Sequence, residues 1–416
     1  MHPTARSIDL RVHGDRLIAE IGALAQIGAT TAGGVSRPAY SDDDLAARAV
    51  VRDMMRAAGL DVRVDAAGNS FGARHGSGGD LPPLVIGSHT DTVPDGGRYD
   101  GALGVIAAIE VARLLHEHNL MLRHPLEVVD FQNEEGGLIG SKIVADRFSA
   151  EALSLVATSG YTIAEGIRRL GGDPERLGEA RRQPGSVAAY VELHIEQGRV
   201  LERAGIEVGV VEGIVGIHYW EVTFDGIASH AGTTPMADRH DALLAAARFV
   251  DAVHAVVIAR SGRHVGTVGR LAVFPGGANV IPGRVVLTLE LRDLDVGTID
   301  ALFHDVDAEG KRIARETGTA YAARPTLTSD PSPTDASVRR AIADAADAAG
   351  LRSHSMPSGA GHDAQNMAAL GPAGMIFVPS VNGISHSPVE RTEDRDVVNG
   401  ANVLLGTLLR LDEALS

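Results

Sequence analysis

Side chains able to bind a metal ion or to move a proton follow three short apolar runs of this sequence. His89 follows residues 83–87, Glu134 and Glu135 follow residues 126–131, and His194 follows residues 187–193. The chain contains no cysteine, which excludes disulfides, thiolate catalysis and cysteine-bound zinc. Any metal in this protein must therefore be held by imidazole and carboxylate groups, which suit zinc or manganese.

The adjacent carboxylates Glu134 and Glu135 are the most informative of these groups. Two neighbouring charges after an apolar strand repel each other and lose hydration unless a cation offsets them. If the strand persists, they point to opposite faces, so that one can bind a metal while the other acts on water. Asp91, two residues after His89, is placed to accept the second ring N–H of that histidine and fix its tautomer.

Each feature alone also has an ordinary structural explanation. A single histidine after a strand is more often not a ligand, and paired glutamates are also typical of a solvated strand end. Asp100-Gly101, at the start of a predicted helix, is typical of an N-cap. Their occurrence together favours a site.

The elements that must position these groups read as strand, helix and strand. Residues 83–87 and 126–131 are predicted strands, and Gly101 to His118 is a predicted helix between them. This order favours a mostly parallel sheet, in which ligands bind beyond the carboxyl ends of the strands. We therefore expect His89, Glu134, Glu135 and His194 to meet at one edge.

The pattern changes between about residues 212 and 329. Longer alternating strands surround two helical segments, residues 237–260 and 298–317. The clearest strand, residues 284–292, has its apolar side chains on one face and Arg292 on the other. The sequence thus predicts a first domain in two parts, residues 1–211 and 330–416, and an inserted α+β sandwich at residues 212–329.

Composition excludes several classes of protein. The 416 residues are 44% apolar and 22% charged, which is ordinary for a globular protein, and the net charge of -16 disfavours nucleic acid and anionic membranes as partners. The N-terminal segment lacks the apolar core of a signal peptide, and no run reaches the roughly 18 apolar residues of a membrane span. We expect a cytoplasmic protein.

Five motifs, in order along the chain, resemble those of the amidase, hydantoinase/carbamoylase family, which belongs to the wider dinuclear-zinc aminoacylase and carboxypeptidase group. The motifs span residues 87–93, 99–101, 133–136, 192–198 and 383–388. The resemblance implies a zinc-exopeptidase-like catalytic domain, with a mixed, mostly parallel α/β sheet flanked by helices, and an inserted lid that also forms a homodimer.

By position, the resemblance implies two divalent ions, with zinc expected and manganese possible. His89 and His194 would bind one ion, Glu135 and His386 the other, and Asp100 would bridge both. Glu134 would be the general base.

The resemblance also assigns residues to the substrate. His230 in the lid would stabilise the oxyanion, Asn279 and Arg292 would hold the polar end of the substrate, and Gln197 and the glycine loop with Gly361 resemble the carbamoylase and allantoate branch. Taken alone, His230 and Asn279 are also typical of turns, Arg292 of a surface charge, and the glycine loop of a turn before a helix.

The implied reaction is hydrolysis of the carbamoyl C–N bond of an N-carbamoyl-L-amino acid to the amino acid, carbon dioxide and ammonia. Allantoate and β-ureidopropionate are alternative substrates, an N-acyl amino acid or dipeptide is a weaker one, and a non-catalytic binding protein is the weakest reading. The chain departs from many members after Glu135, where Gly137-Leu138-Ile139 leads straight to Gly140-Ser141 in place of a longer loop. We expect this shortening to affect the substrate pocket rather than the metals.

Overall fold

The computed structural model describes residues 10–415 and divides the chain into two compact units. The first unit runs to Glu212 and resumes at Thr334, and the second runs from Gly213 to Pro333. The sequence placed the inserted domain at residues 212–329. Part of the N-terminal segment that we predicted not to be a signal peptide, residues 1–9, lies outside the described residues.

The first unit contains helices and strands in alternation. Before the second unit it comprises α1 (Gly14–Leu24), α2 (Asp42–Ala57), β1 (Asp61–Val64), β2 (Ser70–Arg74), β3 (Leu84–His89), α3 (Ala102–Glu117), β4 (Leu126–Phe131), α4 (Ile139–Val144), α5 (Ile163–Arg169), β5 (Ala189–Ile195), α6 (Val200–Ala204) and β6 (Val208–Ile214).

The second unit and the return to the first complete the chain. The second unit comprises β7 (Gly216–Asp225), β8 (Ser229–His230), α7 (Ala242–Ala259), β9 (Val265–Phe274), β10 (Val280–Ile281), β11 (Arg284–Asp293), α8 (Val296–Thr317), β12 (Ala320–Ser329) and β13 (Ser332–Pro333). The return comprises α9 (Ala336–Ala348), β14 (Ser353–Ser358), α10 (Ala364–Met367), β15 (Ala373–Val378) and α11 (Asp394–Ala414).

The sheet of the first unit has the order β1-β2-β4-β3-β5-β15-β6, and β14 also pairs with β6. The central strands β4, β3, β5 and β15 are parallel, and antiparallel strands flank them on both sides. Every residue of β3, β5 and β15 is buried, as expected for central strands covered on both faces. The predicted mixed, mostly parallel sheet is confirmed.

Helices cover the central strands and form the largest core. Nearly all of α3 is buried, and its apolar side chains pack with those of α1, α2, α9 and α11 against the sheet. A smaller apolar cluster joins Tyr40 to α4 and α5. This covering leaves the carboxyl ends of the parallel strands as the edge at which polar side chains gather.

The second unit is a four-stranded antiparallel sheet in the order β12-β7-β11-β9, with α7 and α8 packed on one face. The core contains Val285, Leu287, Leu289 and Leu291, which confirms the alternation predicted for β11. A separate short pair, β8 with β10, holds His230 opposite Val280.

One helix of the second unit qualifies the prediction that no segment resembles a membrane span. By length and composition alone, α7 is apolar enough to cross a membrane, because Arg248 and Asp251 are its only aspartate, glutamate, lysine or arginine residues. Its Phe249 and Val253 pack in the core of the second unit. A single helix of this kind is weak evidence for a membrane protein, because core helices pass the same test.

Candidate active site and metal centre

The central strands and the turns after them bring the predicted ligands together. His89 is the last residue of β3, and His194 lies one residue before the end of β5. Both histidines were expected just after their strands, and both are inside them. Glu134 and Glu135 lie in the turn after β4, so the strand does not persist to separate them onto opposite faces.

The first group of donors consists of His89, Asp100 and His194. The Asp100 Oδ1 atom lies 3.6 Å from Nε2 of His89 and 3.2 Å from Nε2 of His194. Ligand atoms about 2.1 Å from a tetrahedral ion lie about 3.4 Å from one another. These three side chains are therefore spaced to hold one divalent ion.

The second group shares Asp100 and adds Glu135 and His386. Nε2 of His386 lies 3.5 Å from Asp100 Oδ2 and 3.5 Å from Glu135 Oε2. The two oxygens of Asp100 thus face different donor groups, which is the geometry of a bridging carboxylate. His386 is the exposed member, with 49% of its side chain accessible.

Glu134 lies beside the first group without belonging to either. Its Oε2 atom is 3.7 Å from His89 Nε2, and the residue is buried. Burial, with repulsion from Asp363 and Glu135, raises the pKa of Glu134 well above its usual value. The explanation of these glutamates as a solvated strand end is therefore wrong, and Glu134 is placed to accept a proton inside the site.

The partner of the His89 ring differs from the prediction. Nδ1 of His89 donates to the main-chain carbonyl of Asp91 at 3.0 Å, whereas the Asp91 carboxylate lies 3.8 Å away. Nδ1 of His194 likewise donates to the carbonyl of Ile195 at 2.9 Å. Both rings thus present Nε2 to the donor group. Main-chain carbonyls, rather than the carboxylate that we predicted, accept the other ring N–H and fix the tautomer.

The Asp91 carboxylate instead holds the two glutamates. Its oxygens accept the backbone N–H groups of Glu134 and Glu135, each at 3.2 Å. The fully buried Arg48 guanidinium lies 3.7 Å from Asp91 Oδ1 and pairs with Asp44 at 2.9 Å. Asp91 therefore links a buried cation to the turn that carries the predicted base and one candidate ligand.

Asp100 is not an N-cap, because the cap position of α3 is Gly101 and no side chain caps it. Its Oδ2 accepts from Gln197 Nε2 and from Ser385 Oγ, each at 2.7 Å. Gln197 Oε1 is buried and has no hydrogen-bond partner in the described part of the chain.

Gly101 is required by the close approach of α3 to His89. Its φ of +62° is left-handed, and a Cβ there would lie 2.4 Å from the His89 ring. The motif 99–101 therefore combines a carboxylate with the one residue type that lets the imidazole reach it.

The donor set fits divalent cations. Burial, followed by repulsion from Asp100, raises the pKa of Glu135 to about 9. Burial alone would lower the pKa of His194, but the attraction of Asp100 outweighs it and raises that pKa to about 9. Carboxylates crowded in a buried site with imidazole nitrogens favour a cation among them.

The remaining predicted residues belong to the second unit or to a loop. The β8–β10 pair brings His230 next to Asn279, whose carbonyl accepts the N–H of Ala231 at 2.9 Å. His230 Nδ1 accepts the N–H of Gly232 at 3.0 Å, so the neutral ring carries its proton on Nε2.

Arg292 lies on the face of β11 turned away from the core. Its Nε donates to Glu290 at 2.6 Å, so it is an ion-paired residue rather than an isolated surface charge. Gly361 lies in the loop between β14 and α10, where a Cβ would come within 4 Å of Gln365 and Leu138.

Sequence reasoning missed several polar residues around the donors. Glu390 accepts from the backbone at Tyr99 and Asp100, and Ser385 joins it to Asp100. The His362 ring packs edge-on against His194 with 4.5 Å between centroids. Glu390 comes just after the motif at residues 383–388, and His362 lies in the glycine loop with Gly361. A polar residue beside a motif of a buried site was therefore the signal that could have identified them.

Together, a parallel sheet edge and shared imidazole and carboxylate donors define a metal-dependent hydrolase. The sequence matches peptidase family M20/M25/M40 over residues 85–410, and the chain belongs to that family.

Relatives narrow the class further. The chain is 41% identical over 405 residues to an N-carbamoyl-L-amino acid amidohydrolase from Geobacillus stearothermophilus, covering 96% of this chain and 99% of the relative. It is 35% identical to an allantoate amidohydrolase from Bacillus subtilis strain 168, covering 93% and 95%. A crystal structure of an amidase of the hydantoinase/carbamoylase family from Burkholderia multivorans superposes with a TM-score of 0.90 at 37% identity, covering 98% and 100%. The predicted membership of the hydantoinase/carbamoylase amidases is confirmed.

Proposed function

We propose that this protein hydrolyses the carbamoyl C–N bond of an N-carbamoyl-L-amino acid, using two divalent ions held by the donor groups around Asp100. The observation that carries the ureido substrate is Gln197. Asp100 fixes its amide nitrogen and leaves Oε1 as a buried acceptor without a partner in the described residues. An unpaired buried acceptor favours a ligand that donates to it, and the terminal NH₂ of a carbamoyl group is such a donor.

His89 and His194 would hold one ion, Glu135 and His386 the other, with Asp100 between them. Zinc is the expected ion and manganese the alternative, because both accept nitrogen and oxygen donors. When bound, such ions polarise a carbonyl and lower the pKa of water to roughly 7. The spacing of the donor atoms supports this assignment.

Glu134 would take the proton from the attacking water and pass it to the leaving nitrogen. Water supplies the oxygen that joins the carbamoyl carbon, and one C–N bond breaks to leave a carbamic acid. Loss of carbon dioxide from that acid breaks the second C–N bond, so the products are the amino acid, carbon dioxide and ammonia. Asp91 would keep Glu134 in place by accepting the backbone N–H of Glu134. A base held in the correct position transfers protons more effectively than a mobile one.

His230 would donate from Nε2 to the oxygen on which negative charge develops. The contact from Gly232 to Nδ1 supports this role because it leaves the ring proton on Nε2. Arg292, Asn279 and Gly361 would hold the substrate carboxylate, and a planar guanidinium can grip it in two places. Because Arg292 is paired with Glu290, the substrate carboxylate would either displace Glu290 from the guanidinium or bind the guanidinium beside it.

The lid residues also support a homodimer. The β8–β10 pair with His230 is joined to the Arg284 end of β11, whereas Arg292 lies eight residues further along the strand. Eight strand residues span roughly 26 Å, much more than an N-carbamoyl amino acid. We propose that His230 and Arg292 of one lid serve different active sites, which requires a second copy of the chain.

The lid also has a surface that a second copy would cover. Strand β9 is an edge strand, and Val265, Leu271 and Phe274 on it are exposed, as are Leu243 and Leu244 of α7. Open strand edges with apolar side chains favour pairing with another chain.

The cytoplasmic location remains a prediction from the sequence.

A substrate panel tests the proposed function. Ammonia release would be measured side by side with N-carbamoyl-L-amino acids, β-ureidopropionate and allantoate, together with the metal content per chain. We expect the highest kcat/KM with an N-carbamoyl-L-amino acid and about two ions per chain. Preference for allantoate would select the alternative suggested by the Bacillus subtilis relative, while turnover of only N-acyl amino acids or dipeptides would refute the ureido assignment.

The non-catalytic alternative predicts a missing ligand or base. All five ligand positions and Glu134 carry residues able to fill their roles. Absence of turnover on every substrate, with two ions bound, would favour that alternative.

A further inference from the structure

Glu390 is a buried carboxylate four residues beyond His386, in the loop that leads to α11. It is 5% exposed. Its Oε1 accepts the backbone N–H groups of Tyr99 at 2.9 Å and Asp100 at 3.2 Å. The one hydroxyl proton of Ser385 is shared between Glu390 Oε2, 2.8 Å from Ser385 Oγ, and Asp100 Oδ2. One side chain therefore joins two segments that lie about 290 residues apart in the sequence.

We propose that Glu390 is the positioning residue for the second metal site, holding Asp100 and His386 in register with each other. It fixes Asp100 directly through the backbone N–H. It acts on His386 through Ser385, the preceding residue, whose hydroxyl also lies 2.7 Å from Asp100 Oδ2. Backbone and side chain of Asp100 are thus both tied to the loop that carries His386.

The His386 loop needs such support. His386 has a φ of +53°, a left-handed conformation that is uncommon for a residue with a side chain and that persists where neighbouring structure holds it. Its side chain is about half exposed, so packing does little to restrain it. The Ser385 hydroxyl supplies a polar link at the residue directly before it.

The surroundings of Glu390 are fitted to its carboxylate. A Cβ at Gly97 would lie 1.8 Å from Glu390 Oε1, so Gly97 leaves the space that the oxygen occupies. Because Gly97 has no side chain, the backbone before Asp100 can lie directly against the Glu390 carboxylate.

The two metal sites depend unequally on this arrangement. His89 and His194 lie on buried central strands, and each ring is fixed by a main-chain carbonyl. The second site relies on a turn for Glu135 and on the exposed loop for His386. Removing Glu390 should therefore weaken the second ion more than the first.

This role of Glu390 rests on the proposed two-metal site. Measurements of metal binding test the two-metal site and the role of Glu390 separately. Ions per chain and their dissociation constants would be measured by chelator competition for the wild type, Glu390→Ala and Glu390→Gln. Glu390→Ala should keep one tightly held ion and bind the other about 10- to 100-fold more weakly, the usual effect of losing a residue that orients ligands.

Glu390→Gln is the matched control, because its amide can satisfy every contact. The carbonyl oxygen accepts the two N–H groups, the NH₂ donates to Ser385 Oγ, and the Ser385 hydroxyl donates to Asp100. Its second-site affinity should stay within about threefold of the wild type, since no hydrogen bond is lost.

The outcomes are distinct. A wild type that binds fewer than two ions contradicts the two-metal proposal itself. A wild type with two ions and a Glu390→Ala protein with unchanged affinities overturns the inference, as does equal weakening of both sites. If Glu390→Ala does not fold, Ser385→Ala removes the contacts of the hydroxyl with Glu390 and Asp100 and leaves Glu390 on the backbone N–H groups of Tyr99 and Asp100. It should still weaken the second ion, whereas unchanged binding by that variant refutes the role of Glu390.

Discussion

Replacing Glu134 by glutamine separates proton transfer from metal binding. The two side chains have nearly the same shape, and the backbone N–H of residue 134 keeps its contact with Asp91. Glu134 lies 3.7 Å from His89 yet belongs to neither group of candidate ligands. The variant should therefore fold, bind its metals and lack only a group that accepts a proton.

The size of the effect follows from the role of the base. A positioned general base contributes roughly 10²- to 10⁴-fold to the rate. This corresponds to roughly 3 to 5 kcal/mol in the activation free energy. We expect kcat to fall by that factor, with KM changed much less, because the carboxylate acts on water rather than on the substrate.

Glu135→Gln is the matched control at the next position. Glu135 is a candidate ligand of the second ion, 3.5 Å from His386, so its amide should lower metal affinity about tenfold or more. The assay combines steady-state ammonia release with metal analysis of both variants. Full activity of Glu134→Gln would refute the assignment of the base. Loss of metal from Glu134→Gln, with metal retained by Glu135→Gln, would show that the two roles are exchanged.

Three further predictions follow from other contacts. Gly101→Ala should displace the His89 ring, which a Cβ would approach to 2.4 Å, and chelator competition should show first-site affinity lowered about tenfold or more. Arg48→Met should remove the cation that pairs with the buried carboxylates of Asp44 and Asp91 and lower the free energy of unfolding in urea by about 3 to 5 kcal/mol. Mixing inactive His230→Ala and Glu134→Gln proteins should restore part of the ammonia release, because heterodimers would hold one site with both wild-type residues.

Controls make these results interpretable. Gly22 in α1 has open space around its Cβ position, so Gly22→Ala should leave metal binding unchanged. If Gly22→Ala and Gly101→Ala weaken metal binding alike, the effect is not specific to the His89 contact. Unchanged urea unfolding of Arg48→Met would contradict the buried-charge argument. No recovery of activity in the mixture, with subunit exchange demonstrated, would mean that each chain completes its own site.

Much of the fold was predictable because each element carries its own local signal. The strand at residues 126–131 has the bounds that its apolar run predicts, and β11 shows the alternation of a strand with one covered face. Helix ends were less accurate: α7 begins at Ala242, where Asp241 caps it, rather than at Ala237. The cap outweighs the apolar spacing, which starts earlier.

The candidate metal donors on the central strands were predictable for a similar reason, since strand ends mark His89 and His194. The contacts that hold these donors in place were not predictable from the sequence. The partner of the His89 ring is a main-chain carbonyl, which every residue has and no sequence pattern marks. The roles of Asp91 and Glu390 depend on which N–H groups lie within reach after folding, and these come from distant segments.

This difference bears on how the site achieves its geometry. Central strands fix His89 and His194 by burial, so their placement needs little beyond the apolar pattern of the sheet. Glu135 and His386 lie outside any strand, and backbone N–H groups held by buried carboxylates restrain the segments around them. The less regular half of the site therefore depends on a few charged hydrogen bonds, each worth about 1.5 to 3 kcal/mol. Single substitutions of those carboxylates should accordingly change metal affinity while leaving the sheet intact.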